Sequence, residues 1–191
     1  MKRVFIAIDI SKEARRRVAA HVERLRSSFP HLRVGWERPE KLHITLKFLG
    51  AVSEEQLAGI GGALRAAALQ NSEYTARLAG TGVFPERGDP RILWIGLEPP
   101  AATVKLAVTI DVVCAKLGFE REKREFRPHL TIARLREPAA SRELAEAHRR
   151  STFEVPEFQI KEIAIYESKL LPSGSIYSTL AAFPLGGSYA S

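Results

Sequence analysis

The tetrapeptide His43-Ile44-Thr45-Leu46 returns 86 residues later as His129-Leu130-Thr131-Ile132. Each copy sets a histidine and a hydroxyl two residues apart in an apolar run. Side chains alternate faces along a strand, so His and Thr share one face and the aliphatic residues take the other. A fold for this chain must therefore hold two half-buried strands built alike. Facing one another, they would present two imidazoles and two hydroxyls to one small space, an arrangement suited to acid–base chemistry on a phosphate.

The surroundings of the motifs repeat as well. A basic residue stands two positions before each histidine, Lys41 and Arg127, and a turn and a helix follow each copy. Val4 to Ile8 reads as a buried strand, and Ser11 caps a helix whose apolar stripe Ala14, Val18, Val22, Leu25 stops near Phe29-Pro30. A short strand is expected over Leu32 to Trp36 and the first motif strand over Leu42 to Leu49. Ser53 and Gln56 form a capping box opening a helix through about Leu69. Tyr74 to Val83 and Ile92 to Leu97 read as two strands joined by a turn. A helix over Ala102 to Leu117 ends at Gly118, and a charged loop, Glu120 to Glu125, leads to the second motif strand, Phe126 to Leu135. A helix over Ser141 to Arg150 follows. Phe158 to Glu167 and Ser175 to Ala182 form a closing hairpin around Pro172-Ser173-Gly174. Neighbouring strands are not regularly separated by helices, so an α+β fold with antiparallel sheets is expected. No linker-like stretch divides the chain. One two-lobed domain over residues 1–191 follows, with the first motif at 42–49 and the second at 127–135.

The chain of 191 residues carries a formal net charge of +7 and a sequence pI of about 9.8. That balance favours anionic partners such as nucleotides or RNA without choosing among them. Arg15-Arg16-Arg17 sits on a helix and reads as a solvated face. Cys114 is the only cysteine; it falls in an apolar helical pattern and reads as packing, and a lone thiol suits a reducing cytoplasm. The apolar stretch before Asp9 is too short for a signal-peptide core, and nothing approaches a membrane span.

Histidine titrates near neutrality, so one imidazole can take a proton while another gives one. The hydroxyls of Thr45 and Thr131 can donate to phosphate oxygens, where charge gathers in the transition state. His21 and His148 fall on helices and His31 in a turn, where surface or packing roles are expected. No HExxH, phosphate-binding P-loop or GxSxG elbow is present, so neither a metal nor another cofactor is expected. Trp36 and Trp94 read as packing. Lys41 and Arg127 fit either a cleft rim or solvated charge.

The two motifs and their flanking words resemble the 2H phosphoesterase superfamily, and within it the RNA 2′,3′-cyclic phosphodiesterase branch, also called 2′–5′ RNA ligase. Those words are Arg3-Val4-Phe5-Ile6-Ala7-Ile8, Leu42 through Gly50, Gly82-Val83-Phe84-Pro85, Ile92 through Leu97, Phe126 through Arg134, and Tyr166-Glu167-Ser168-Lys169-Leu170 with Gly174 and Tyr177. The resemblance implies a bilobal fold. Two antiparallel sheets line a central cleft, helices lie outside, and an internal pseudo-twofold duplication places one histidine motif in each lobe. It implies metal-independent hydrolysis of RNA 2′,3′-cyclic phosphate ends to 2′-phosphates, with joining of a 5′-hydroxyl to form a 2′–5′ linkage as a side activity. His43 is then the general acid and His129 the general base, although the near-symmetry leaves an exchange of roles open. Thr45 and Thr131 would hold the phosphate, and Arg134 would lie near the nucleotide. By strict alternation, however, Arg134 should point away from His129. Phe5 and Phe48 fit either an aromatic wall for a base or core. RNA ends or nucleoside 2′,3′-cyclic phosphates are the expected partners of a cytoplasmic monomer. Another cyclic phosphate, such as ADP-ribose 1″,2″-cyclic phosphate, and a non-catalytic basic RNA-binding module remain as alternatives.

Overall fold

The β-branched and aliphatic runs pair into two antiparallel sheets in the computed structural model, which describes residues 1–171 and 174–186. Nine strands and four helices occur among the described residues. They are β1 (Lys2–Asp9), α1 (Lys12–Ser28), β2 (Val34–Trp36), β3 (His43–Val52), α2 (Glu54–Leu69), β4 (Tyr74–Phe84), β5 (Ile92–Glu98), α3 (Ala101–Lys116), β6 (His129–Leu135), α4 (Arg142–Arg150), β7 (Phe158–Ile160), β8 (Glu162–Leu171) and β9 (Gly174–Pro184). A 3₁₀ turn, Pro39–Lys41, precedes the first motif strand. Ser11 accepts from the Ala14 amide at the start of α1, and Ser53 and Gln56 close the expected capping box on α2.

The four-stranded sheet runs β3-β1-β8-β9 and the five-stranded sheet β2-β6-β5-β4-β7. The duplication shows in these orders. A motif strand, β3 or β6, pairs with the first strand of its own repeat, β1 or β5, which in turn pairs with a late strand of the other repeat, β8 or β4. The helices cross over too. α3 packs on β3 and α2 on β9, while α4 packs on β4 and against α1. Each sheet is therefore covered by one helix from each repeat. The buried aliphatic side chains of both sheets join in one core that includes Ile6, Ile44, Leu64, Ile95, Ile110, Leu130 and Ile132. Full burial of such side chains contributes roughly 1.5–3 kcal/mol each before ordering costs. Cys114 lies in this core, where burial pushes its thiol up to about 11.

Two expectations need correction. The stretch Phe158 to Glu167 is not one strand. β7 pairs with β4 and β8 with β1, so the chain changes sheets at Lys161. The second motif strand begins at His129 rather than Phe126. In the final hairpin, Pro172 and Ser173 lie outside the described residues.

His21 and His148 prove to be packing residues, both buried beneath the five-stranded sheet. The His148 Nε2–H donates to the Trp94 carbonyl at 3.0 Å. Its Nδ1 then accepts from His21 Nε2–H at 3.2 Å, and His21 Nδ1 accepts from Arg24 at 3.4 Å. This one-way chain ties α1 and α4 to β5 with both rings neutral. Burial pushes His21 down to about 4. An unfolded ring takes its proton near pH 6.5, so between those values the unfolded state binds more protons. The stabilisation is full above about pH 6.5 and is lost as pH falls toward 4. Urea unfolding at pH 7 and pH 4.5 should show that loss, and His21→Gln should shrink the difference by on the order of 2 kcal/mol. An unchanged difference in the variant would contradict the account.

Candidate active site

Both motif histidines are held in the same way. The Nδ1–H of His43 donates to the Lys41 carbonyl at 2.6 Å, and that of His129 donates to the Arg127 carbonyl at 2.7 Å. A peptide carbonyl has no proton to give, so each Nδ1 carries the hydrogen and each Nε2 is left as the working nitrogen. The basic residues two positions upstream thus matter first through their carbonyls. Their side chains go elsewhere: Lys41 lies over the Tyr177 ring, and Arg127 pairs with Glu86 at 2.5 Å. The Thr45 hydroxyl lies 3.1 Å from His43 Nε2 and donates to it when the ring is neutral.

Burial along the two strands follows one pattern, residue for residue. His43 and Thr45 are half-buried, Ile44, Leu46 and Lys47 are buried, Phe48 is exposed and Leu49 is buried. His129, Thr131, Leu130, Ile132, Ala133, Arg134 and Leu135 repeat this sequence of states. A β-bulge lies in each copy. β1 passes from Thr45 to Lys47 in its pairing, skipping Leu46, and β5 passes from Thr131 to Ala133, skipping Ile132. An extra residue resets the alternation. Arg134 therefore returns to the face of His129 and Thr131, which removes the objection from strict alternation. In the first copy the same step turns Phe48 toward the face of His43, and it sends Lys47 to the other side, where it pairs with Asp111 of α3 at 2.6 Å.

Aromatic rings back each imidazole. Phe5, opposite Phe48 in register, stacks on His43 at 4.7 Å and on Tyr166 at 5.3 Å, and Tyr177 meets the His43 ring edge-on at 5.3 Å. Phe5 is only 2% exposed and stands behind the histidine, whereas Phe48 is 66% exposed beside it. In the second copy Phe84 meets His129 edge-on at 5.1 Å, with Trp94 at 6.4 Å. Trp94 thus does more than pack: it pairs with Thr131 in register and borders the site. Its indole N–H is buried without an acceptor among the described residues. Gly82 makes room for it, since a Cβ there would lie 2.1 Å from the indole ring.

The two sheets meet at their motif strands. β3 and β6 touch across the sheets. Glu37, just after β2, donates its amide to the carbonyl of the bulged Ile132 and sets its carboxylate 3.8 Å from the Arg134 guanidinium. Burial pushes the Glu37 carboxyl up, against the pull of Arg134 and Lys41. Tyr177, which packs on His43, lies in the field of both Glu37 and Arg134. Burial pushes both histidines below their ordinary value. The Lys41 and Arg127 carbonyls favour the charged form of each ring alike, and the charged neighbours make the difference: the Asp9 carboxylate favours charged His43, against Arg15, whereas the Arg134 cation disfavours charged His129. Sequence reasoning passed over Asp9, Glu37 and Phe84, because their relevance comes from strand neighbours.

Residues 14–170 match the model of the 2′-5′ RNA ligase superfamily. A curated RNA 2′,3′-cyclic phosphodiesterase of Methanothermobacter thermautotrophicus is 33% identical over 96% of this chain and 98% of its own. One of Geobacillus stearothermophilus is 36% identical over 96% of this chain, which spans 57% of that relative's length. Among solved structures, E. coli LigT complexed with 3′-AMP superposes with a TM-score of 0.79 at 25% identity, covering 97% of this chain and 99% of that one.

The Trp94 seat yields a direct check. Gly82→Ala should lower stability by about 1–3 kcal/mol through overpacking and shift the tryptophan emission. Wild-type stability and emission would show that the indole is not seated there. With the twin motifs, the shared frame and the family match in place, the chain belongs to the 2′-5′ RNA ligase superfamily.

Proposed function

We propose that this protein hydrolyses RNA 2′,3′-cyclic phosphate ends to 2′-phosphomonoesters, working as one two-lobed domain, a cytoplasmic monomer, on RNA ends or nucleoside 2′,3′-cyclic phosphates. The observation that carries the proposal is the matched pair of Nδ1–H bonds to backbone carbonyls, which frees both Nε2 atoms for proton transfer. The names of the Methanothermobacter and Geobacillus relatives support the substrate class. A nucleotide bound by the E. coli neighbour supports it further.

In the proposed reaction His129 Nε2 takes a proton from water as the oxygen attacks phosphorus. The P–O3′ bond breaks, and His43 Nε2–H gives its proton to the departing O3′. The products are a 2′-phosphate and a 3′-hydroxyl, and the rings reset by exchange with solvent. The Thr45 and Thr131 hydroxyls donate to the non-bridging oxygens, and Arg134 pairs with phosphate or stacks on the base. Phe48 offers an exposed ring for the base, while Phe5 steadies His43 from behind. A 5′-hydroxyl in place of water would leave a 2′–5′ linkage by the same route. Every proton step is assigned to a side chain, so activity should persist in excess chelator.

Each proton transfer is worth roughly 10²–10⁴ in rate. His43→Ala and His129→Ala should each lose that much in kcat on a nucleoside 2′,3′-cyclic phosphate, and wild-type kcat/KM should be bell-shaped in pH. Full activity in either variant would remove the proposal. If the chain were only a basic RNA-binding module, RNA binding would fall with salt and no product would form.

Arg134 provides a separate test. Its cation holds the proton off His129, so its removal raises that pKa. Arg134→Met should move the acidic limb of kcat/KM to higher pH and raise KM about tenfold. An unmoved limb with unchanged KM would take Arg134 out of the site.

A further inference from the structure

We propose that Asp9 and Arg15 are positioning residues that break the symmetry of the histidine pair and make His43 the proton donor. The inference rests on the two-histidine reading above and adds to it what sets the direction of proton flow.

The β1–β3 register puts Asp9 opposite His43. Its carboxylate is held twice, by the Tyr166 hydroxyl at 3.0 Å and by Arg15 at 3.3 Å. Arg15 in turn donates to the carbonyls of Pro39 at 2.5 Å and Leu42 at 3.0 Å. Those two carbonyls bracket Lys41, whose own carbonyl fixes the His43 tautomer. A line of charge-assisted bonds thus runs from Asp9 through Arg15 to the turn that orients the imidazole.

Among the described residues the other half of the molecule shows no such line from the strand neighbour of its histidine. By register the residue opposite His129 is Gly96. A Cβ there would lie 2.8 Å from the Ala79 carbonyl oxygen, so the position admits no side chain. The charged neighbour acting on His129 is Arg134 instead.

Around His43 the titratable and charged groups are Asp9 on β1, Arg15 on α1, Lys41 on the 3₁₀ turn, Tyr166 on β8 and Tyr177 on β9. Among them Asp9 supplies the negative charge that favours imidazolium, and Arg15 partly opposes it. The carboxylate is half exposed, so solvent screens it and its effect is modest. An acid must hold its proton, so activity falls above the pKa of the acid. Removing the Asp9 charge lowers that pKa and should bring the alkaline limb of the bell to lower pH.

The test compares wild type, Asp9→Asn and Asp9→Glu as full-length proteins. kcat/KM is measured against pH on a nucleoside 2′,3′-cyclic phosphate, and the His43 ring is titrated by NMR. In Asp9→Asn the alkaline limb should move down by several tenths of a pH unit while the acidic limb stays. The NMR midpoint of His43 should fall in parallel, and Asp9→Glu should return both toward wild type. If His43→Ala abolishes activity but neither limb nor NMR midpoint moves in Asp9→Asn, this inference fails and the two-histidine reading stands. If the acidic limb moves instead, His43 is the base and the inference is overturned. For a variant with no measurable turnover, an unmoved His43 midpoint in the NMR titration still overturns the inference, and Asp9→Glu, which keeps the charge, supplies the limbs that assign the role.

Discussion

One short hydrogen bond, made twice, organises this molecule's site: an imidazole Nδ1–H donating to the carbonyl two residues earlier. It selects the tautomer, orients the ring and leaves Nε2 as the only nitrogen free to exchange a proton. The bond lies within each motif, so the duplication copies it unchanged. What surrounds it differs. His43 is wedged between Phe5 and Tyr177, whereas His129 meets Phe84 edge-on with Trp94 beyond. A pair of like groups thus stands in unlike settings, which acid–base catalysis requires when one must give a proton and the other take it.

The crossing of the two repeats ties both motif strands to one core. β8 of the second repeat pairs with β1, β4 of the first pairs with β5, and each sheet carries a helix from the other half. Neither lobe has a complete sheet or cover of its own, so both motif strands are anchored in one core. The symmetry breaks at β2, which extends only the five-stranded sheet. The residue just beyond β2, Glu37, reaches Arg134, and its field extends to Tyr177 of the other sheet. At 3.8 Å the carboxylate and the guanidinium form an ion pair on the face of His129 and Thr131.

Much of this was legible in the chain. The repeated His-x-Thr spacing marked both motif strands and the shared face of His43 with Thr45 and of His129 with Thr131. An apolar stripe marked α1, a capping box α2, and an apolar run closed by Gly118 α3. Legibility ended wherever a partner strand decides the outcome. Whether Arg134 faces the site depends on the bulge at Ile132, and a bulge exists only relative to the β5 register. The contrast between Asp9 and Gly96 appears only once each residue is known to lie opposite its histidine. The passage at Lys161 from one sheet to the other leaves only a one-residue change of phase, from Phe158 and Ile160 to Ile163 and Ile165 across Lys161-Glu162, which a single bulged strand would show as well. Phe5 and Phe48 look alike in sequence, yet one is sealed behind His43 and the other stands open.

The most direct test of the paired imidazoles is long-range ¹H–¹⁵N NMR of the free protein and of the protein with a nucleoside 2′-phosphate, the product of the proposed reaction. In the free protein both rings should carry their proton on Nδ1, and on adding the nucleotide both Nε2 resonances should shift together. A ring protonated on Nε2 alone in the neutral protein, or a shift confined to one histidine, would contradict two imidazoles sharing one phosphate.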